Sequence, residues 1–357
     1  MLYREAGDFK TTYAKDQALI PIRQDRVMLY ICIAIALALP FVANDYFLGS
    51  IAIPVLIMVI AAIGLNLLLG FCGQISLGSG AFMAAGAYMA YKCATAFPWI
   101  PMPVSIILAG IATALIGLAF GLPAVRIKGF YLAVATLAAQ FFLLWLFTHV
   151  PWFVNYTMSG VPTPPPATVL GVYVTGADAP NWAKYLFVLA FCAGLTWIAY
   201  NLVRSRIGRT WMAIRDMDIA AELIGIRPLW TKLTAFAISS FYCGIAGALW
   251  SFCFINTVEP TAFDINRSFQ ILFMVIIGGL GSILGSYFGA IFITLFPILL
   301  NSAPAWFGLE IPGNIITNLE FMIFGAMIVF FLIAEPNGLA RLWQLGKEKL
   351  RLWPFPH

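Results

Sequence analysis

The sequence predicts an all-α protein, a polytopic transmembrane helical bundle of about 10 spans with possible re-entrant segments. Three observations predict it. Of 357 residues, 62% are hydrophobic and 10% charged, with mean hydropathy +0.92, too little polar surface for a water-soluble domain of this size. Several apolar runs exceed the roughly 20 residues that cross a hydrocarbon core. The cations, finally, fall almost entirely on one side of the layout those runs imply.

The elements follow in order. Residues 1–27 form a polar leader of mixed charge, too long for the charged region of a signal peptide, so the first apolar run is expected to stay as a span. The transmembrane part is expected over 28–340, with a tail at 341–357. Span 1 covers 27–47, with Asn44-Asp45 at its far end, and span 2 covers 51–71. A Gly/Ser-rich segment, 72–82, opens span 3, which ends near Phe97. Spans 4 and 5 cover 102–125 and 130–149, and a long loop, 150–181, carries Pro162 and Pro164–Pro166. Span 6 covers 182–203 and span 7 covers 233–255, separated by a polar loop over 204–232. A second polar loop, 256–267, precedes a run interrupted by Gly278-Gly279-Leu280-Gly281. Span 8 is therefore short, 268–277, and a re-entrant or partly unwound segment is the alternative there. Span 9 covers 283–300 and span 10 covers 319–334. The basic tail reads as an amphipathic or surface segment.

In this layout 17 of the 20 Lys and Arg residues share one side: five in the leader, Arg126 and Lys128, six in the central loop and four in the tail. Only Lys92, Lys184 and Arg267 fall elsewhere. The positive-inside rule then puts both termini and the central loop in the cytoplasm.

The central loop reads RSRIGRTWMAIRDMDIAAELIGIRPLWTK. Within it Ile214, Met217, Ala221 and Ile224 recur at helical spacing and are expected on one face. Glu222 falls on another face, Gly225 is placed to end the helix, and the small Ala220 and Ala221 allow close approach of a second surface. An ordered amphipathic helix between two spans suggests a contact surface; the alternative is a solvated connector carrying positive-inside charge.

The 73–82 segment sets Gln74, Ser76 and Ser79 among three glycines. Polar backbone at membrane depth is tolerated only where it is buried in protein or lines a cavity. It is thus a candidate translocation pathway, joined by Asn66 one turn earlier, or else an ordinary turn. Gly281, Gly285 and Gly289 give two overlapping GxxxG steps, suited to packing within the chain or against a second subunit. A faint echo between 73–78 and 279–285 suggests parallel repeats. The cysteines show no paired spacing and read as inert buried thiols; His149 and the isolated Gln140 read as structural.

No ionisable residue sits unambiguously mid-span, which argues against an ion-coupled carrier. The sole Gly-Lys pair, Gly346-Lys347, is followed by Glu348 and makes no nucleotide-binding loop. A transporter with neither device must draw its energy from a partner. A membrane enzyme finds no catalytic constellation in this sequence.

Motifs in sequence order resemble the LivM-like permease family of branched-chain amino acid ABC importers. They are Gly64-Leu65-Asn66-Leu67-Leu68-Leu69-Gly70, the 73–82 segment with Gly86-Ala87-Tyr88, and Arg126-Ile127-Lys128-Gly129-Phe130-Tyr131-Leu132-Ala133. The 205–226 stretch, 244–249, 268–289 with its Met274–Gly279 core, and Glu335-Pro336-Asn337-Gly338-Leu339 complete the set. The resemblance spans about 55–340. It implies a non-enzymatic permease subunit of the bacterial inner membrane that moves Leu, Ile or Val inward. It implies as partners a second related permease, two ATPase subunits that bind ATP and Mg, and an extracytoplasmic binding protein. No cofactor belongs to this chain and no nucleic acid to its partners. The loop would be the coupling helix, with Ile214, Met217, Ala220, Ala221, Glu222, Ile224 and Gly225 toward the ATPase. Gly78-Ser79-Gly80 departs from the family, many of whose members have His at the middle position. Urea, amides, aromatic acids and sugars remain alternative cargoes.

Overall fold

The computed structural model describes residues 11–12, 23–125, 131–156, 161–169, 171–176, 179–306, 313–335 and 338–352. The leader up to residue 22, apart from 11–12, the 126–130 motif with Arg126 and Lys128, and Pro336-Asn337 lie outside them.

The described chain is all-α apart from one two-stranded ribbon. Helix α1 is Arg23–Val42, α2 is Asp45–Cys72, α3 is Ser79–Ala96, α4 is Met102–Val125 and α5 is Tyr131–His149. Strands β1, Thr168–Val169, and β2, Val172–Tyr173, pair antiparallel in the long loop. Helix α6 is Asn181–Arg204, α7 is Arg206–Asp216, α8 is Asp218–Leu223 and α9 is Pro228–Phe254. Helices α10, Ile265–Gly278, α11, Ile283–Trp306, α12, Gly313–Ala334, and α13, Gly338–Leu352, complete the chain.

Among the described residues six helices are long and apolar enough to cross a membrane: α2, α4, α5, α6, α9 and α11. The expected ten apolar segments are all helical, but the other four are shorter or less apolar. The short one, α10, has 14 residues and so a length of about 21 Å, less than the roughly 30 Å of a hydrocarbon core.

The bundle is built around α2 and α9, whose apolar stretches are 83% and 78% buried, against 22% for α6. Glycines make that packing possible. A Cβ on Gly64 would stand 2.5 Å from Tyr242 Cβ, and one on Gly86 would stand 2.4 Å from Gly244 Cα, so backbones meet where no side chain fits. Gly117 and Gly121 of α4 likewise seat Ser240 and Phe236 of α9.

Helix α1 stands outside this core, and one bond shows how it is held. Pro40 has no N–H, which leaves the Ala36 carbonyl without its helical donor. The buried Tyr185 hydroxyl of α6 donates to that carbonyl at 3.0 Å. The first span ends at Val42 rather than 47, because the chain turns at Asn44 and Asp45 opens the first turn of α2.

The span expected to begin at 268 begins earlier. Asp264 caps α10, its side chain accepting from the Arg267 N–H at 3.1 Å, so Arg267 belongs to the helix and not to the loop before it. The two polar loops at this end of the bundle touch, the Val258 N–H donating to Pro162 O at 3.0 Å.

Candidate functional site

Helix α2 ends in a π-helical segment, Leu67–Phe71, and the broken backbone between α10 and α11 lies against it. Asn66, 1% exposed, holds the two together. Its Nδ2 donates to Ser282 O and Ser286 Oγ, both at 2.8 Å, and its Oδ1 accepts from the Gly281 N–H at 2.9 Å. The contact is closer than any side chain permits. A Cβ on Gly70 would sit 2.0 Å from Asn66 Oδ1 and 2.2 Å from Gly281 N. Gly338, which opens α13, packs on the same junction, against Ile277 O and Gly279.

The polar stretch after α2 is non-helical over residues 73–78. Gly73 takes φ +72°, and Gln74 is buried with its Nε2 donating to Cys72 Sγ at 3.4 Å. Gln74 Oε1 is buried and has no partner among the described residues. Ser76 Oγ accepts from the Gly78 N–H at 3.4 Å, and Ser79 begins α3, buried. The first N–H groups of α3 have no intrahelical acceptors. Ser268 Oγ takes the one from Gly80 at 2.8 Å, and Gln140 Oε1 takes the one from Ala81 at 2.7 Å. Gln140 also accepts from Ser268 Oγ and donates to Phe263 O. A residue that looks isolated in the sequence thus joins α3, α5 and the start of α10.

The central loop departs from expectation. One continuous helical face over 214–224 is not formed, because the chain is extended at Met217, with φ −162° and ψ 100°, between α7 and α8. Asp216 and Asp218 flank the break; short acids compete with helical hydrogen bonding in a helix interior and favour its start. Ile214 and Ala221 are buried, whereas Met217, Ala220, Glu222, Ile224 and Gly225 are exposed. Gly225 does end α8, at φ +89°: Ile226 N–H bonds Ala221 O and Gly225 N–H bonds Glu222 O, both at 3.0 Å.

Three bonds fasten this loop to the two central helices. Trp211, fully buried in α7, donates its Nε1 to Thr234 of α9 at 3.2 Å. Asp218 of α8 pairs with Lys232 of α9 at 3.6 Å. Arg215 donates its Nη1 to Gly70 O of α2 at 2.9 Å, beside Gly73 and Gly281. Sequence reading took Gln140 as structural without its partners and counted Arg215 only among the loop cations. Neither tertiary role has a local signal, since Gly70 lies 145 residues from Arg215 and the nearest partner of Gln140 lies 59 residues away. Around this anchored frame, Met217, Ile219, Leu223 and Ile224 project into solvent, Leu223 84% and Ile224 75% exposed.

Of the three GxxxG glycines, Gly281 lies in the turn before α11 at φ +74° and shares no helix face with the others. Gly285 and Gly289 pack against α10, where a Cβ on Gly289 would stand 1.8 Å from Met274 O.

Comparison with known proteins gives a consistent result. The sequence profile of the family described as "Branched-chain amino acid transport system / permease component" matches residues 47–332. The "High-affinity branched-chain amino acid transport system permease protein LivM" of Salmonella typhimurium is 26% identical over 342 residues, covering 88% of this chain and 75% of that protein. The "Probable branched-chain amino acid transport permease protein LivM" of Methanocaldococcus jannaschii is 26% identical over 66% of this chain and 67% of its own length. A "Fructose import permease protein FrcC" of Rhizobium meliloti is 31% identical over 135 residues, 35% of this chain and 36% of its own. No solved structure matches.

Proposed function

The chain belongs to the permease family of branched-chain amino acid transport systems, a family of multi-pass inner-membrane transport subunits, and from that premise we propose that it imports branched-chain amino acids with energy taken from partner ATPases. It would form half of a pathway, beside a second related permease, two ATPases that bind ATP and Mg, and an extracytoplasmic delivery protein. Both termini and the 204–232 loop would face the cytoplasm, as the one-sided cations imply. The ten apolar helical segments would then all enter the bilayer, with 73–78 and α10 reaching only part of the way.

One observation carries the coupling role: a single loop is apolar and exposed on one side and bonded to α2 and α9 on the other. Exposed apolar side chains clustered on a charged loop mark a contact surface. A partner that binds one arrangement of the bundle more tightly than another, pressing on Leu223 and Ile224, would shift the population toward it. Arg215 carries that push to the end of α2, where Asn66 holds the broken backbone of 279–282. Asn66, Gln74, Ser76 and Ser79 are the pathway candidates. Gln74 is the one whose buried acceptor lacks a partner among the described residues.

The test is ATP-dependent uptake of labelled amino acids and sugars by the reconstituted complex. Replacing Leu223 and Ile224 together with Asp is expected to lower leucine uptake at least about tenfold while the permease stays inserted. Normal uptake by that variant would remove the loop from coupling. Ala221 is a poorer probe, because it is buried against its own chain and enlarging it disturbs local packing. Fructose uptake in place of leucine would favour the sugar reading, which the shared 135-residue stretch supports.

A further inference from the structure

Arg267 stands in the first turn of α10, at the end of that helix away from the Asn66 junction and level with the start of α3. Its guanidinium lies over the indole of Trp250, with Cζ 4.4 Å from a ring centroid. Trp250 opens Trp250–Phe254, a π-helical segment that closes α9. Arg267 Nε donates to Ala262 O at 3.3 Å and Nη1 to Gln270 Oε1 at 3.0 Å, and both acceptors are neutral. Among the described residues Nη2 has no bond and no carboxylate reaches the guanidinium at ion-pair distance. The acid nearest in sequence, Asp264, attracts the guanidinium through space without bonding it: Oδ1 accepts from the Arg267 backbone N–H and Oδ2 from Asn266 Nδ2. Trp250 is 5% exposed, and its Nε1 likewise has no partner among the described residues.

Two donors, one of them charged, therefore lack a protein acceptor among the described residues, one on the half-buried Arg267 guanidinium and one on the buried Trp250 indole that it covers. Buried polar groups are normally hydrogen-bonded, and ionisable groups inside a membrane bundle face a cavity and pair with something. Single π-helical turns also recur at functional positions. We infer that Arg267 Nη2 and Trp250 Nε1 receive the carboxylate of an amino-acid cargo at the far mouth of the pathway. A guanidinium suits a carboxylate in charge and in shape. Asp264, of opposite sign and one turn away yet not paired with Arg267, suits the ammonium end of the same zwitterion. Two donors form a site that binds without trapping, as a passing cargo requires. This assignment rests on the import reading and adds to it a residue-level contact.

The experiment uses the whole reconstituted complex, its delivery protein and labelled leucine, with uptake, ATP hydrolysis and assembly measured for each variant. Arg267→Gln is expected to lower uptake about tenfold or more, the loss of a charge-assisted hydrogen bond, while assembly and ATP hydrolysis persist. Arg267→Lys restores part of the rate, because charge returns without the planar fork. Trp250→Phe, which removes only the Nε1 donor, lowers uptake several-fold. An unchanged rate in Arg267→Gln, equal losses in the Gln and Lys variants, or failure of either to assemble would overturn the site. No leucine uptake by the wild-type complex would instead sink the import reading and this site with it.

Discussion

Asn66 and the Arg267–Trp250 pair treat their hydrogen-bonding groups in opposite ways. At the loop end, Asn66 is saturated: its amide donates to Ser282 and Ser286 and accepts from Gly281, with Gly70 leaving no space for anything else. At the far end, Arg267 and Trp250 keep donors that nothing among the described residues meets. A saturated node in an interior of low dielectric fixes geometry, because breaking it exposes every member at once. An unsaturated one waits for a partner. The contrast puts a saturated junction beside the 204–232 loop and unmet donors at the first turn of α10.

The saturated end is where substitution is expected to hurt most. Asn66→Leu leaves the Gly281 N–H without its acceptor inside the bundle and strips Ser282 O and Ser286 Oγ of one donor each, a loss of about 3 kcal/mol. Gly70→Ala is expected to match it, since the added Cβ would stand 2.2 Å from Gly281 N. Thermal unfolding of the purified permease checks both, and a stability equal to wild type in either would remove the junction as a fixed point.

How much of this was legible follows from the range of the forces involved. Helix α4 has the bounds the sequence predicts, 102–125, because a long apolar run between polar ends needs no tertiary help. Gly225 ends α8 as read, since only a left-handed residue closes that turn cheaply. The break at Met217 was not legible. Periodicity favours one helix there; Asp216 and Asp218 weaken it locally, and the tertiary bonds of Arg215 to Gly70 and Asp218 to Lys232 decide against it. Gly281 fits a GxxxG pattern by spacing, yet its backbone is needed for the turn that Asn66 clasps. The early start of α10 had a readable signal, Asp264 three residues before Arg267, that apolar-run counting overlooks.

A second saturated node lies deeper, at Gln140, and sharpens the comparison. Gln140→Leu keeps the volume but removes the acceptor of the Ala81 N–H and the donor to Phe263 O. The expected loss is about 2 kcal/mol, smaller than at Asn66 because Ser268 Oγ still accepts from the neighbouring Gly80 N–H. Hydrogen exchange at the first turn of α3 reads it directly. Unchanged protection at Gly80 and Ala81 would show that Ser268 alone holds that helix start.

Arg215 is expected to show the smallest change in stability and the clearest change in coupling. Its side chain is partly exposed and also pairs with Asp216 at 2.9 Å, so Arg215→Ala removes a bond that water replaces easily, at a cost below about 1 kcal/mol. The same change cuts the side-chain link between α7 and the end of α2, while Trp211 still anchors α7 to α9. Leucine imported per ATP hydrolysed should therefore fall several-fold in reconstituted complexes whose unfolding temperature stays near wild type. If the ratio holds while stability drops, Arg215 is a fastener of the loop and the push travels through α9. If both hold, the junction at Asn66 moves without instruction from the loop.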